Sequence, residues 1–283
     1  MSGTAPWRFA WNDGTLWRGE DGTRIVGVLN VTPDSFSDGG RYLDPGAAAE
    51  QALALVEAGA DAVDVGAEST RPGHGPVPWG EEWRRLEPAL GRVRDAVSVP
   101  LSIDTRHAEV ARRALDAGAQ AVNDVSGLAD PAMPDVLLAA AGAVIVGHWR
   151  PRPETGAWHA SRVAADLEGR RRALLEAGLP ADRIALDPGL GFGKGAEDNW
   201  RILARLDRVV ALGAAVMVGA SRKRFVAAVA GGPALPATDD VTAHLSLWCA
   251  LRGAAMVRVH APAPTMRALA VARALLQAGR QAP

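Results

Sequence analysis

The chain of 283 residues contains 48% hydrophobic and 22% charged residues and has a formal net charge of −1, which is typical of a globular enzyme and argues against a nucleic-acid partner. Cys249 is the only cysteine, so an internal disulfide is excluded and a reducing compartment is expected. The first residues lack a signal-peptide pattern and no stretch of about 18 apolar residues occurs, so the sequence predicts a cytoplasmic protein without a membrane partner.

The first predicted element is a short β-hairpin. Residues from Trp7 to Trp17 alternate between apolar and polar side chains around an Asn-Asp-Gly turn signal at 12–14. We expect residues 1–23 to cover one end of a single domain that spans residues 1–283.

Helical segments rich in Ala and Leu then alternate with short β-rich runs. The first helical pattern begins at Pro45 and ends at Gly59, as a capping glycine would end it. The same arrangement recurs at Gly118, Gly142, Gly178, Gly213 and Gly253. The β-rich runs cover residues 25–30, 62–65, 100–104, 121–124, 144–148, 183–187, 216–219 and 256–260.

Eight strand and helix units in about 250 residues predict an α/β fold, the (β/α)8 TIM barrel. A doubly wound open sheet is the alternative, although it more typically has five to seven strands and a single nucleotide-binding turn. A Gly and Pro cluster at 231–237 lies between two helical patterns and predicts an extra helix before strand eight.

Polar residues at the strand ends favour the barrel. In a closed parallel barrel the carboxyl ends of all strands meet at one mouth, whereas an open sheet spreads them along an edge. Nearly every predicted strand is apolar up to its end, where it carries or is soon followed by one of these polar residues: Asn30, Asp64, Asp104, Asn123, His148, Asp187, Ser221 with Lys223, and Arg258 with His260.

Asp104, Asn123 and Asp187 predict a site for an amino-heterocycle. A carboxylate at a mouth with apolar walls accepts hydrogen bonds well from paired N–H donors. The alternative for each residue taken alone is that it caps the following helix.

A cationic group predicts an anion site near the last two strands, where barrels of this type commonly bind phosphate. Paired cations beside a helix N-terminus suit a diphosphate. The group consists of Arg71, Arg222, Lys223, Arg258 and His260. The alternative is that the cations at 223–224 form a solvated helix start, although a cation there opposes the helix dipole.

The loop after the first barrel strand predicts a Mg²⁺ site. It carries hard oxygen donors, which suit Mg²⁺ shared with substrate phosphates. These donors are Asn30, Thr32, Asp34, Ser35 and Asp38. A plain loop with Asx turns is the alternative. We expect residues 32–38 to be mobile without ligand and to close over a departing diphosphate.

Other catalytic motifs are missing from the sequence. The segment 187–195, DPGLGFGKG, lacks the first glycine and the final Ser or Thr of a phosphate loop, and G-x-G-x-x-G, H-E-x-x-H and G-x-S-x-G do not occur. His107 and His159 are expected to be surface residues without partners, and the role of His148 is left open.

Seven motifs occur in order at the predicted strand ends: GVLNVTPDSFSDGG, VDVGAESTRPG, LSIDT, VNDVSG, LDPGLGFGKGAEDN, VGASRKRF and VRVH. Through them the chain resembles the dihydropteroate synthases, a family of pterin-binding TIM barrels, over residues 24–278. The resemblance implies a transferase of folate biosynthesis that uses Mg²⁺. It would condense 6-hydroxymethyl-7,8-dihydropterin diphosphate with 4-aminobenzoate to give 7,8-dihydropteroate and diphosphate.

The resemblance also implies a role for each matching residue. The pterin set is Asp104, Asn123, Asp187 and Lys223. The diphosphate and Mg²⁺ set is Arg71, Arg258 and His260 with Asn30 as metal ligand. The aminobenzoate pocket, where sulfonamides compete, is lined by Thr70, Pro72 and Ser221. Asp38 is implied near the reacting methylene, so that the catalytic set is Asp38, Lys223, Arg258 and His260.

Departures from the family pattern leave two rival functions open. They occur at Ala67, in the segment 149–151, at Ala261 and at 239–240. One rival is a pterin-binding methyltransferase that passes a methyl group from methyltetrahydrofolate to a corrinoid, and the other is a paralogue with weak or no synthase activity. The family suggests a homodimer, for which the apolar helices at 240–252 and 264–278 would supply the interface.

Overall fold

The N-terminal hairpin covers the amino-terminal end of a barrel. The computed structural model describes residues 7–31, 44–67, 77–149 and 158–281. The hairpin strands are β1 (Arg8–Ala10) and β2 (Leu16–Arg18), which pair antiparallel. The backbone N–H of Asn12 donates a hydrogen bond to the carbonyl of Gln120, which lies just before a barrel strand. The predicted hairpin and its position are therefore both present in the structure.

Eight parallel strands form the barrel. They are β3 (Arg24–Asn30), β4 (Ala62–Gly66), β5 (Leu101–Asp104), β6 (Ala121–Asp124), β7 (Ala143–Gly147), β8 (Ile184–Asp187), β9 (Ala215–Val218) and β10 (Met256–Val259). The last strand pairs with the first, with Val257 opposite Ile25, and this pairing closes the barrel. The predicted TIM barrel is confirmed, and the open doubly wound sheet is wrong.

Helices lie outside the barrel and connect its strands. They are α1 (Pro45–Glu57), α2 (Trp79–Ala96), α3 (Ala108–Asp116), α4 (Met133–Ala139), α5 (Ala160–Glu176), α6 (Ala196–Ala204), α7 (Asp207–Val210), α8 (Arg224–Val229), α9 (Leu235–Leu251) and α10 (Pro262–Gln281). Both α8 and α9 lie between β9 and β10, so the extra helix predicted before the last strand is present. Across the described parts of the chain, no helix combines the length and apolarity needed to cross a bilayer.

Alanines lie at or near the start of five barrel strands and line the interior at the amino-terminal end of the barrel. Small side chains there leave room for the aromatic rings of the hairpin, which pack with them in one apolar cluster. The rings of Phe9 and Trp17 each make an edge contact with Trp11, with centroids 5.2 and 5.0 Å apart. The alanines are Ala62, Ala121, Ala143, Ala185 and Ala215. The hairpin therefore closes this end of the barrel, and only the opposite end remains for a ligand.

Alternate side chains along a barrel strand face the surrounding helices or the barrel interior. On β4, Val63 and Val65 belong to the apolar layer between barrel and helices, whereas Ala62 belongs to the interior cluster. Asp64 shares the inward face because side chains two apart on a strand point the same way. The polar residues near the strand ends therefore reach the interior just above the alanine layer.

Candidate active site

Asp104 and Asn123 lie side by side at the carboxyl ends of β5 and β6. The two residues are directly paired in the sheet register. Asp104 accepts a hydrogen bond from Nη2 of Arg258, on β10, at 2.7 Å. The barrel therefore brings together two of the three residues predicted for an amino-heterocycle with a cation predicted for the anion site.

The protein binds one end of the Asn123 amide and leaves the other end without a partner among the described residues. Its Nδ2 donates to Oδ2 of Asp64 at 2.9 Å. Its Oδ1 is buried and has no hydrogen-bond partner among the residues that the structure describes. A buried acceptor without a partner is costly unless a ligand or water supplies a donor. Asn123 is therefore prepared to accept a hydrogen bond from a ligand N–H.

Asp124, the neighbour of Asn123, faces the other way and braces the loop after β6. Its two carboxylate oxygens accept hydrogen bonds from the backbone N–H and the hydroxyl of Ser126 and from the backbone N–H of Leu128. Burial raises the pKa of Asp124 above its usual range, against these hydrogen bonds. Its contacts are those of a structural residue.

Asp187 ends β8 and is almost fully buried. Its Oδ1 accepts a hydrogen bond from the backbone N–H of Gly189 at 2.7 Å. Burial raises the pKa of Asp187, while the charge of Lys223 and the Gly189 N–H act in the opposite direction. A carboxylate held by so few hydrogen bonds of its own retains capacity for ligand donors.

Lys223 immediately precedes α8, and its ammonium group faces the loop after β8. Nζ donates to the carbonyl of Leu190 and lies 4.4 Å from the centroid of the Phe192 ring. Although the residue as a whole is half-buried, enclosure of its ammonium group lowers the pKa of Lys223 to about 8, against the attraction of Asp187. The Lys223 amine therefore changes its charge near physiological pH.

Sequence reasoning missed Lys194, which holds the loop after β8. Its buried ammonium donates to the carbonyls of His148, Gly189 and Phe192 at 2.8, 2.7 and 3.1 Å. The lysine is visible in the segment DPGLGFGKG, but neither the comparison with a phosphate loop nor the family motif assigns it a role. In this fold the Lys194 side chain binds backbone oxygens and fixes the loop that supports Asp187 and Lys223.

Arg258 lies between two carboxylates. Nε donates to Asp64 at 2.6 Å while Nη2 donates to Asp104. Burial alone would lower the pKa of Arg258, but the charges of Asp64 and Asp104 outweigh it and raise the pKa. The structure therefore places Arg258 with the amino-heterocycle set, and its predicted contact with a diphosphate stays a prediction.

His260 and Ser221 join the ends of the last two barrel strands. Nδ1 of His260 lies 2.9 Å from the Ser221 hydroxyl, which also accepts a hydrogen bond from the His260 backbone N–H at 3.2 Å. Arg222, in contrast, donates two hydrogen bonds to Asp239 on α9, at 3.0 and 2.9 Å. The guanidinium of Arg222 is thus paired with a carboxylate of α9, which weakens its predicted part in the anion site.

The prediction that His107 and His159 lack partners is wrong. His107 is half-buried, and its Nε2 lies 3.0 Å from the carbonyl of Val77. His159 is exposed, but its Nδ1 accepts a hydrogen bond from the backbone N–H of Arg162 at 3.4 Å. His159 caps α5 through this bond, whereas His107 precedes α3 without capping it and contacts a carbonyl instead. Their roles are structural.

His148 is fully buried behind the site, where its Nε2 lies 3.1 Å from Asp166 and its ring meets Trp158 edge-on. Burial, followed by the charge of Lys194, lowers the pKa of His148 to about 4. The imidazole is therefore neutral in the folded protein at physiological pH, and it packs as a core residue.

Acid should destabilise the fold partly through His148. Between pH 6.5 and about 4, His148 is protonated in the unfolded chain but stays neutral in the folded protein. The unfolded state therefore binds more protons, and stability falls as pH falls through this window. His148→Gln should reduce the loss of unfolding free energy between about pH 7 and about pH 4.5 by roughly 2 kcal/mol. Urea unfolding at both pH values measures this, with the exposed His159→Gln as control. An unchanged pH dependence in His148→Gln would contradict the assignment.

Asn30 is the one member of the predicted metal loop in the described residues. It ends β3, is half-buried, and is paired with Gly66, which has no side chain. A single amide oxygen fits Mg²⁺, which keeps most of its ligands as water and phosphate oxygens. Within the described residues no three His, Cys, Asp or Glu side chains group closely enough to hold a metal ion, so the Mg²⁺ site stays a prediction.

Several predicted residues lie outside the described residues. They include the catalytic candidate in the first loop, the substrate candidates in the second loop and the segment expected to close over the ligand: Asp38, Thr70, Arg71, Pro72 and residues 32–38. Their roles stay predictions.

Known proteins resemble the chain over nearly its whole length. The family model described as pterin binding enzyme matches residues 26–260. Dihydropteroate synthase of Mycobacterium leprae is 43% identical over 271 residues, which cover 91% of this chain and 95% of that protein. Xanthomonas albilineans dihydropteroate synthase with 4-aminobenzoic acid is 38% identical, with a TM-score of 0.89 and coverage of 98% of this chain and 99% of that chain. The structure of the X. albilineans enzyme with 7,8-dihydropteroate is 36% identical, with a TM-score of 0.85 and coverage of 98% and 100%.

Proposed function

The chain belongs to the family of pterin-binding enzymes, and we propose that it acts as a dihydropteroate synthase. The reaction joins 4-aminobenzoate to the methylene carbon of 6-hydroxymethyl-7,8-dihydropterin diphosphate and releases diphosphate, a transferase step of folate biosynthesis. The observation that carries the proposal is the convergence of Asp104, Asn123, Asp187 and Lys223 at one mouth of the barrel, in motifs shared with this family.

The described residues suit a pterin ring because they combine acceptors with cationic side chains. Asp187 and Oδ1 of Asn123, which has no partner in the described part of the chain, accept hydrogen bonds from ring N–H groups. Lys223 donates to ring or carbonyl oxygen from the loop between β9 and α8. An amino-heterocycle rich in N–H donors is thus bound by charge-assisted hydrogen bonds, which are about twice as strong as neutral ones.

In the reaction the carbon–oxygen bond to diphosphate breaks and its electron pair leaves with the diphosphate. Asp104 and Asp187 stabilise the positive charge left on the methylene and ring, because their carboxylates lie in a site of low dielectric. The neutral amine of 4-aminobenzoate then attacks the methylene carbon, so no strong general base is needed. Mg²⁺ held by Asn30 and the phosphate oxygens would supply charge neutralisation for the leaving group. In the proposal, Arg258 on β10 and His260 directly after that strand also contact the leaving diphosphate.

The proposal of a 4-aminobenzoate pocket is supported by the family resemblance and by Ser221, whose buried hydroxyl is held by His260. Thr70 and Pro72 complete this pocket in the proposal, and Asp38 is assigned to the reacting methylene and amine. Sulfonamides, as analogues of 4-aminobenzoate, are expected to compete there.

One assay tests the function. The protein is incubated with the dihydropterin diphosphate, 4-aminobenzoate and Mg²⁺, and diphosphate release is measured. Release that requires 4-aminobenzoate is expected. Pterin binding without release would contradict the proposal and indicate a non-catalytic homologue, whereas methyl transfer from methyltetrahydrofolate to a corrinoid would indicate the methyltransferase.

We also propose a homodimer formed through α9 and α10, which pack against each other and carry exposed apolar residues. These are Leu235, Trp248, Leu251, Met266, Val271 and Leu275. Exposed apolar side chains concentrated on one pair of helices are typical of an interface.

Val271→Glu should convert the dimer to a monomer, because a charge buried at an apolar interface has no partner. Sedimentation velocity measures the change. Leu53→Glu, at an exposed apolar position on α1, is the control and should leave the mass unchanged. A monomeric wild-type protein would contradict the proposed dimer.

A further inference from the structure

None of the predicted roles involves Asp64, although this residue contacts two side chains of the candidate site, Asn123 and Arg258. We propose that Asp64 is a positioning residue: it fixes the Asn123 amide with its oxygen toward the pterin, and it holds the Arg258 guanidinium against Asp104. The proposal deepens the synthase function and rests on it.

The register places Asp64 beneath the ligand-facing residues. It is paired with Val28 and Ser102, whereas Asp104 is paired with Gly66, two residues further toward the mouth. Asp64 is fully buried, and its oxygens are occupied by three hydrogen bonds from protein donors. It therefore acts through other residues and does not touch the ligand.

Asp64 decides which end of the Asn123 amide faces the ligand. An ionised carboxylate can only accept hydrogen bonds, so the amide must turn Nδ2 toward it. Oδ1 then becomes the end without a protein partner among the described residues. The position of Asn123 consequently recognises a ligand donor and rejects a ligand acceptor.

The same carboxylate orients Arg258. Nε of Arg258 donates to Asp64 and Nη2 to Asp104, so the guanidinium spans two carboxylates on neighbouring strands. Ser102, from the strand of Asp104, completes the set by donating its hydroxyl to Oδ1 of Asp64 at 2.6 Å. Each side chain that Asp64 binds is thus fixed before the substrate arrives, which is how a supporting residue preorganises a site.

Asp64→Asn tests the proposal because it keeps the shape and removes the negative charge. Oδ2 of Asp64 accepts from both Asn123 and Arg258, and a neutral amide oxygen in its place holds these two donors less firmly than a carboxylate does. We expect the Kd for the dihydropterin diphosphate, measured by calorimetry, to rise by about 10-fold or more, as loss of a supporting partner typically does. The KM for this substrate should rise in parallel.

Asp124→Asn is the matched control. Asp124 is another buried carboxylate with three hydrogen bonds, two strands away, but its donors belong to the loop after β6. It should lose unfolding free energy while the folded protein keeps its Kd within about twofold, as expected for contacts remote from a ligand. A Kd of Asp64→Asn no higher than that of Asp124→Asn would overturn the proposal.

A double variant supplies a readout that general destabilisation would not give. In Asp64→Asn combined with Asn123→Ala, the amide that Asp64 positions is already absent. The loss of affinity in the double variant should therefore be smaller than the sum of the two single losses. Additive losses would overturn the proposal.

The remaining outcomes are also decisive. If Asp64→Asn does not fold, Ser102→Ala replaces it, and a several-fold rise in Kd supports the proposal whereas a wild-type Kd overturns it. Wild-type protein that neither binds the pterin nor releases diphosphate would refute the synthase function itself. Wild-type activity with an unaffected Asp64→Asn would refute only the role of Asp64.

Discussion

Replacing Lys223 with Ala is expected to lower synthase turnover by about 10²-fold or more, as loss of one charge-stabilising group commonly does. The ammonium group lies beside Asp187 and opposes the effect of burial on the pKa of that carboxyl. Without Lys223 the pKa of Asp187 rises further, and a protonated carboxyl cannot accept two ring N–H groups. Both binding and stabilisation of the developing charge are therefore lost, which steady-state diphosphate release measures.

Arg224→Ala is the control for Lys223→Ala. Arg224 is the next residue in the chain and is exposed, so its loss removes the same formal charge away from the mouth. Turnover in this variant should stay close to wild type. Near-normal turnover in Lys223→Ala would refute the assignment of the site.

The pH dependence of pterin binding gives a second readout of Lys223. Because its pKa is about 8, the ammonium is charged below that pH and is lost as pH rises through it. If binding needs the charge, affinity should fall by about tenfold for each further pH unit. Lys223→Arg, whatever its absolute affinity, should lose this alkaline decline because a guanidinium stays charged.

Much of the fold could be predicted because local signals and topology agree. Glycines such as Gly59 ended the helices, and apolar runs that end in a polar residue marked the strands to within about two residues. Eight such units, with polar residues at the strand ends that must meet one ligand, favour a closed barrel over an open sheet. That closure alone brings Asp104, Asn123 and Asp187 to one mouth.

Side-chain partners could not be predicted, because they depend on layers inside the barrel that strand periodicity does not specify. Asp64 and Asp104 look equivalent in the sequence, yet one lies beneath the ligand-facing residues and the other at their level. Charge and neighbours in the sequence place Arg258 among the anion-binding cations. The structure places its guanidinium on two carboxylates, a contact between the last barrel strand and two early ones that spacing in the chain does not reveal.

The loop after β8 shows the same limit. Lys194 satisfies three backbone carbonyls at once, and Asn199 of α6 donates its side-chain amide N–H to the carbonyl of Gly195 and accepts from the backbone N–H of Gly191. Lysines are almost never fully buried unless they are paired, and the three carbonyl contacts of Lys194 offset part of the cost of its burial. The loop that it holds supports both Asp187 and Lys223.

Gly189→Ala is expected to be the most damaging single change in this loop. Gly189 has a φ of +63°, and a Cβ there would lie 2.0 Å from the carbonyl oxygen of His148. Because the clash is with backbone, the Gly189 peptide must move, which breaks its hydrogen bond to Asp187 and its contact with Lys194. We expect a loss of about 3 kcal/mol or more in unfolding free energy, measured by urea denaturation, together with loss of pterin binding.

Gly213→Ala separates the clash from the cost of a positive φ. Gly213 has a φ of +77°, and among the described residues nothing lies within 4 Å of a Cβ placed there. Its replacement should cost only the left-handed conformation, about 1–2 kcal/mol, and leave pterin affinity unchanged. If the two variants lose similar stability and both bind the pterin, the close approach of Gly189 to His148 does not support the site. A loss of binding confined to Gly189→Ala would show that this approach sets the positions of Asp187 and Lys223.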